Sequence, residues 1–176
     1  MLFNVKKGPY PSLVQMDTEK LLSASETTPV ERGMCLYVDD QDEWRVAGDT
    51  QAGSQGTPGA FIWFALQNES DLTAGMAGGT PSTGGAPKIA AIGCSPSIVI
   101  ETDMFDVDGG LALHDMLSVA DGGILAAHGA NQTVVARVTK APYTRWVNNA
   151  AAVVGWRTGN NVSAIQAMTM YIPCVP

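Results

Sequence analysis

The sequence predicts an all-β protein: one β-sandwich or barrel domain, jelly-roll-like, with an extended N-terminal arm. Its apolar segments are short and bounded by Gly, Pro, Asp and Ser, the pattern of strands and turns. The chain of 176 residues holds 19 Gly and 10 Pro, and only 15% of its residues are charged, against roughly 25% in ordinary soluble domains. Long helices and coiled coils need the Lys and Glu that are missing. No segment sustains an apolar period of 3.6 residues. With 45% apolar residues there is side chain to bury, which excludes intrinsic disorder for most of the chain. The length suits a single domain, read as an arm over residues 1–30 and a β-domain over 31–176.

The arm is defined by what it lacks. Gly8-Pro9-Tyr10-Pro11 imposes an extended path with few backbone donors, and residues 23–29 form a polar run. Residues 12–22 could make a short helical turn, but their apolar spacing is irregular and an arm describes them better. From Gly33 the texture changes. Residues 33–38 read as a strand, 39–42 as an acidic turn, 44–47 as the returning strand and 48–59 as a Gly-rich loop. Residues 59–66 are the most apolar run and suit a strand buried on both faces. Residues 73–87, rich in Gly and Pro, read as a long loop or flap. Strands are expected at 88–93, 97–102, 111–113, 123–127 and 133–139, the last rich in β-branched residues. Residues 151–156, a turn at 158–161 and a strand at 162–172 read as a long hairpin. In that final strand Val162, Ala164, Gln166, Met168 and Met170 share one face.

Charge narrows the function classes. The net charge is −7, and it is unevenly placed. Residues 1–32 are neutral, 33–45 carry −3, 46–136 carry −8, and 137–176 carry +4 with no acid at all. An acidic chain of this kind repels phosphate backbones, so nucleic acid is not expected as a partner. The basic end and acidic middle can pair, within one subunit or between neighbours. No apolar run reaches the roughly 20 residues that cross a bilayer. Lys6, Lys7, Gly8 and Pro9 interrupt any signal-peptide core, so no membrane partner and no secretion are expected.

The usual chemical patterns are missing. Cys35, Cys94 and Cys174 are odd in number and lack the close pairs of a zinc site, and read as reduced thiols. Residues 93–97 place a proline where a nucleophile elbow needs a flexible turn. Asp103, Asp106 and Asp108 lack the alternation and late Glu of an EF-hand and read as a solvated acidic turn. His114 beside Asp115 reads as a structural pair. No P-loop lysine follows a Gly-rich stretch. Trp44, Trp63, Trp146 and Trp156 could stack on sugar rings, or serve the core. No catalytic residue, cofactor or metal is expected; the chain reads as a non-enzyme.

Several segments together resemble one class of protein. They are Gly33-Met-Cys-Leu-Tyr-Val-Asp39, Trp44-Arg-Val-Ala47, Pro58-Gly-Ala-Phe-Ile-Trp-Phe-Ala-Leu66, Ile98-Val-Ile-Glu-Thr-Asp-Met-Phe-Asp106, Leu113-His-Asp-Met-Leu-Ser118, Asp121-Gly-Gly-Ile-Leu125 and Val134-Val-Ala-Arg-Val-Thr139. Over about residues 33–140 the chain resembles the cement, or decoration, proteins of tailed-bacteriophage heads. The resemblance implies a structural virion protein, made in the host cytoplasm and bound to the major capsid protein on the outer capsid surface. It implies dimers or trimers and neither cofactor nor catalytic residue. On this reading the arm supplies partner contacts through Leu2, Phe3, Val5, Lys6, Lys7 and Tyr10. The alternative function is a β-sandwich carbohydrate-binding, lectin-like module, with tryptophans as the ring-stacking groups.

Overall fold

The structure, a computed structural model, describes residues 3–7, 16–17, 20–50, 61–69, 87–93, 98–130, 132–148 and 162–172. Among these residues the elements are eleven strands and one 3-10 turn: β1 (Phe3–Lys7), β2 (Met16–Asp17), β3 (Cys35–Val38), β4 (Trp44–Val46), β5 (Trp63–Ala65), β6 (Ala91–Gly93), β7 (Ile98–Thr102), the turn Val107–Gly109, β8 (Met116–Ala120), β9 (Ile124–Ala127), β10 (Ala136–Asn148) and β11 (Val162–Ile172). They make two antiparallel sheets. One has six strands in the order β1-β7-β11-β10-β8-β9, the other five in the order β2-β6-β5-β3-β4. The protein is an all-β sandwich, as composition and patterning predict.

Strand alternation builds the core between the sheets. From the five-stranded sheet come Cys35, Phe64 and Ile92; from the six-stranded sheet come Ile100, Leu117, Val119, Leu125, Val138, Met168 and Met170. Met168 and Met170 are fully buried, on the shared face that the sequence gives them. Residues next to these inward positions turn the other way. Leu36, Ala65 and Ala91 join Leu22, Val30, Trp44 and Ile89 in a second core, so the run around Phe64 and Ala65 is buried on both faces, as read from its composition.

That second core corrects the arm. Residues 20–30 do not stand apart from the β-domain. Leu21 bridges Lys88 and Leu22 bridges Trp44, so the five-stranded sheet curls until one segment touches both of its sides. Trp44 Nε1 donates to the Ile89 carbonyl at 2.9 Å across the closure. Leu22 and Val30 are buried. The polar run misleads because its polar groups serve the backbone: the Glu26 carboxylate accepts N–H groups of Thr27, Thr28 and Val46. Further upstream, β1 lies antiparallel to β7, with Phe3 opposite Thr102 and Val5 opposite Ile100. Met16 and Asp17, where a helical turn could have formed, pair with Ile92 and Ala91 as a strand. The boundary at residue 30 is therefore not a boundary of packing.

Other elements shift more modestly. The strand expected at 111–113 is a turn instead, with Leu111 buried and Leu113 exposed. The strand begun at 133–139 runs on to Asn148 and is itself the hairpin partner of β11, with Arg137 opposite Tyr171 and Asn148 opposite Val162. Register shifts between Val138 and Tyr143 absorb Pro142, which a bulge tolerates and a regular ladder does not. The expected strand at 151–156, the turn at 158–161 and the flap at 73–86 lie outside the described residues, as does most of the 48–59 loop.

Gly123 ties the two sheets together. Its carbonyl accepts from Cys35 N–H at 2.8 Å, and its own N–H donates to the Ala47 carbonyl at 2.9 Å. Its φ is +72°, and a Cβ there would lie 2.9 Å from Val46 Cγ1 and 3.0 Å from the Cys35 carbonyl. The β8–β9 turn needs glycine at this point.

Candidate functional site

Sheet edges come first, because exposed ladders invite partner strands. The β4 edge is covered: Trp44 N–H donates to Leu21, Ser23 N–H donates to Trp44, and Val46 N–H goes to Glu26. The β9 edge is covered too, since Leu125 N–H donates to Met104 and Asp106 N–H donates to Leu125. β2 is two residues long. β1 is five residues long and terminates its sheet; among the described residues no segment runs along its outer side. Of the expected partner contacts, Phe3, Val5, Lys6 and Lys7 lie on this edge strand, while Leu2 and Tyr10 lie outside the described residues.

The outward face of the six-stranded sheet carries two exposed cations, Arg137 and Lys140. Val138 and Ala136 point into the core, and Arg137 between them is exposed, level with Met116 on β8. Three residues on along β10, the Lys140 ammonium sits 3.6 Å from the centroid of the Tyr143 ring, a cation–π contact. The Tyr143 hydroxyl donates to the Glu101 carboxylate. Glu101 points away from the core yet is only 2% exposed. Beside this patch the 112–116 turn is tied down from several sides. His114 N–H donates to Val138, Val138 N–H to Asp115, Ala112 N–H to Asp115 Oδ2 and Arg137 Nε to the His114 carbonyl. His114 takes a φ of +76°, a conformation that costs a non-glycine residue roughly 1–2 kcal/mol. Leu113 and Met116, each 51% exposed, project from this fixed turn.

The opposite charge gathers at the β3–β4 turn. Asp39 accepts N–H groups of Gln41 and Glu43 at 3.0 Å each and Arg45 Nε at 3.2 Å; Asp42 has a φ of +62°. Burial raises the Asp39 pKa, but the Glu43 and Gln41 N–H groups and the Arg45 charge outweigh it and hold the group below its ordinary value. Glu26 behaves alike: burial raises it, and the N–H groups of Thr28, Val46 and Thr27 bring it below the usual glutamate value. Lys20 pairs with Asp42 and lies 3.8 Å from Asp17. These contacts fasten residues 17–26 to the β3–β4 hairpin.

The remaining candidates resolve into structural roles. Asp106 caps the 3-10 turn by accepting from Asp108 N–H, and among the described residues no three potential ligands cluster for a metal. Asp115 accepts from Ala112, not from its neighbour His114. Ser118 and His128 Nδ1 are 2.8 Å apart, a pair that sequence reading missed because ten residues separate them. Ser118 is buried and donates its hydroxyl to the Thr133 carbonyl at 3.0 Å, which leaves that proton committed away from the imidazole. Trp44 is fully buried and cannot stack on a sugar. Trp63 is half-buried and meets Trp44 and the 50%-exposed Phe61 edge to face, at 5.3 Å in both cases. Cys35 is a buried thiol of the core; Cys94, Cys174 and Trp156 lie outside the described residues.

Among the described residues, fold and surface define a two-sheet β-sandwich with the β4 and β9 edges covered and β1 ending the six-stranded sheet. Compared with protein-family models, curated proteins and solved structures, the chain matches none.

Proposed function

We propose that the chain is a structural virion protein that binds the outer surface of an icosahedral phage capsid and stabilises it as a cement or decoration protein. The observation that carries the reading is the β1 edge. Among the described residues the β4 and β9 edges are covered, whereas no segment runs along the outer side of the apolar and basic strand Phe3-Asn-Val-Lys-Lys7. Open edges of folded proteins are ordinarily blunted, so one left uncovered suits attachment to another chain. The segments that resemble decoration proteins also fall on both sheets of a single sandwich. The partners are the major capsid protein and further copies of this chain, as dimer or trimer. No catalytic step is invoked, and the chain acts by burying surface between shell subunits.

The test is attachment. Purified protein should sediment with expanded capsids and raise the temperature at which they release DNA. A variant lacking residues 2–7 should still fold, with its melting temperature lowered by several degrees through loss of β1, and should no longer sediment with capsids. Equal attachment by the truncated chain would remove the edge strand from the interface; no attachment by the full chain would refute the reading.

The carbohydrate-binding alternative rests on Phe61 and Trp63, packed over Gly93 so closely that a Cβ there would lie 2.9 Å from both rings. Retention on a glycan array that Phe61→Ala abolishes, without any attachment to capsids, would favour it.

A further inference from the structure

We propose that the outward face of the six-stranded sheet, at Met116, Arg137, Lys140 and Tyr143, binds the acidic β3–β4 turn of a second copy of this chain. The inference does not depend on capsid attachment and concerns the isolated protein.

Charge gives the first argument. The chain carries −7 overall, yet residues 137–176 carry +4. Intrachain pairing with the acidic middle would neutralise that excess, and the described part of β10 does something else. Arg137 Nε donates to a carbonyl and Lys140 rests on an aromatic ring. The ion pairs of Lys20 with Asp17 and Asp42 and of Arg45 with Asp39 are made by other cations. Glu101, an acid close to Tyr143, is buried and accepts the Tyr143 hydroxyl. An exposed Arg and Lys are left facing solvent on a protein that is otherwise acidic.

Shape and composition give the second. Met, Arg and Tyr are the types enriched at the centres of protein interfaces. Here they flank a turn whose backbone groups are held by Val138 and Asp115, with strain stored at His114. A residue kept in a costly conformation by its surroundings points to a use for that conformation. A preformed surface also loses little entropy when it binds. Leu113 and Met116 add exposed apolar area at its rim.

The third argument is the complement. Asp39, Asp40, Asp42 and Glu43 crowd one hairpin tip, and Lys20 and Arg45 neutralise only part of it. Asp40 and Asp42 are exposed, and the tip is fixed by the Asp39 carboxylate. Receptor and ligand are different surfaces on one chain, so the contact is head-to-tail, and it closes into a ring if the rotation allows.

Sedimentation equilibrium on the full chain tests this. The wild type should associate at low salt and weaken at least about tenfold between roughly 50 mM and 500 mM, as screening shortens the reach of exposed charges. Lys140→Glu and Asp40→Lys should each weaken association by a similar factor while the protein stays folded by circular dichroism; Lys140→Gln serves as the milder variant if the reversal disturbs folding. Mixing Lys140→Glu with Asp40→Lys should restore association, because the intact tip of the first meets the intact face of the second. A folding defect cannot produce that rescue. A wild type that stays monomeric at about 100 μM in low salt overturns the proposal, as does an oligomer insensitive to these reversals or one that mixing fails to restore.

Discussion

Single residues in this protein act by where their backbones are held. Gly122 and Gly123 are adjacent, both at positive φ, and differ in one respect: a Cβ at Gly122 meets nothing within 4 Å, whereas at Gly123 it meets Val46 and the Cys35 carbonyl. Gly122→Ala therefore incurs backbone strain alone, about 1 kcal/mol. Gly123→Ala adds overpacking and disturbs two hydrogen bonds that join the sheets, for about 2–4 kcal/mol in all. Urea midpoints of the two variants should separate accordingly. Equal midpoints would mean that the close approach at Gly123 relaxes without cost. The doublet itself is plain in the sequence, but which of its members is essential depends on Cys35 and Ala47, more than seventy residues away.

At the scale of elements, the segment over residues 20–30 is the case where polarity and burial part company. Its serines, threonines and glutamate read as solvent-exposed, yet Ser23 is buried and Glu26 binds three backbone N–H groups. Glu26 and Asp39 both have folded-state pKa values below their ordinary ones. A depressed carboxylate contributes stability that is present above its unfolded pKa and disappears as pH falls through the folded one. Stability should thus be level from neutral pH to about pH 5 and fall below about pH 4, where Glu and Asp ordinarily protonate. Glu26→Gln should flatten part of that fall and lower the neutral-pH stability; thermal melts across pH 3–7 measure both. A fall of unchanged steepness would assign the acid sensitivity elsewhere. A similar lesson applies to β10. Pro142 has no N–H to give a ladder, and the bulged register against β11 allows the strand to continue beyond it.

Over the whole molecule, two cores share one sheet. Phe64 and Ala65 are consecutive, and they enter the core between the sheets and the core under residues 20–30 respectively. The layers should consequently melt as one unit. Phe64→Ala should destabilise by about 3–5 kcal/mol and shift the entire unfolding transition, as seen by tryptophan fluorescence and by far-UV circular dichroism alike. Two separated transitions would show that the curled sheet and the six-stranded sheet fold independently.

By itself the sequence determined the class of fold and much of its interior. Short apolar runs, Gly-rich turns and scarce charge leave no route to helices, and alternation along residues 162–172 already places Met168 and Met170 on one face. Turn chemistry was equally local: the Asp39–Asp42 turn follows from a side chain bonding the backbone two and four residues on. What only the tertiary structure decided depends on distant partners. The attachment of residues 3–7 to Ile98–Thr102, the closure of the curled sheet by Leu21 and Leu22, and the meeting of Lys140, Tyr143 and Glu101 on one outward face all join residues far apart in the chain. Local pattern cannot reveal such contacts, because a short edge strand or a polar strap carries no periodicity of its own; its conformation is fixed by the surface it meets.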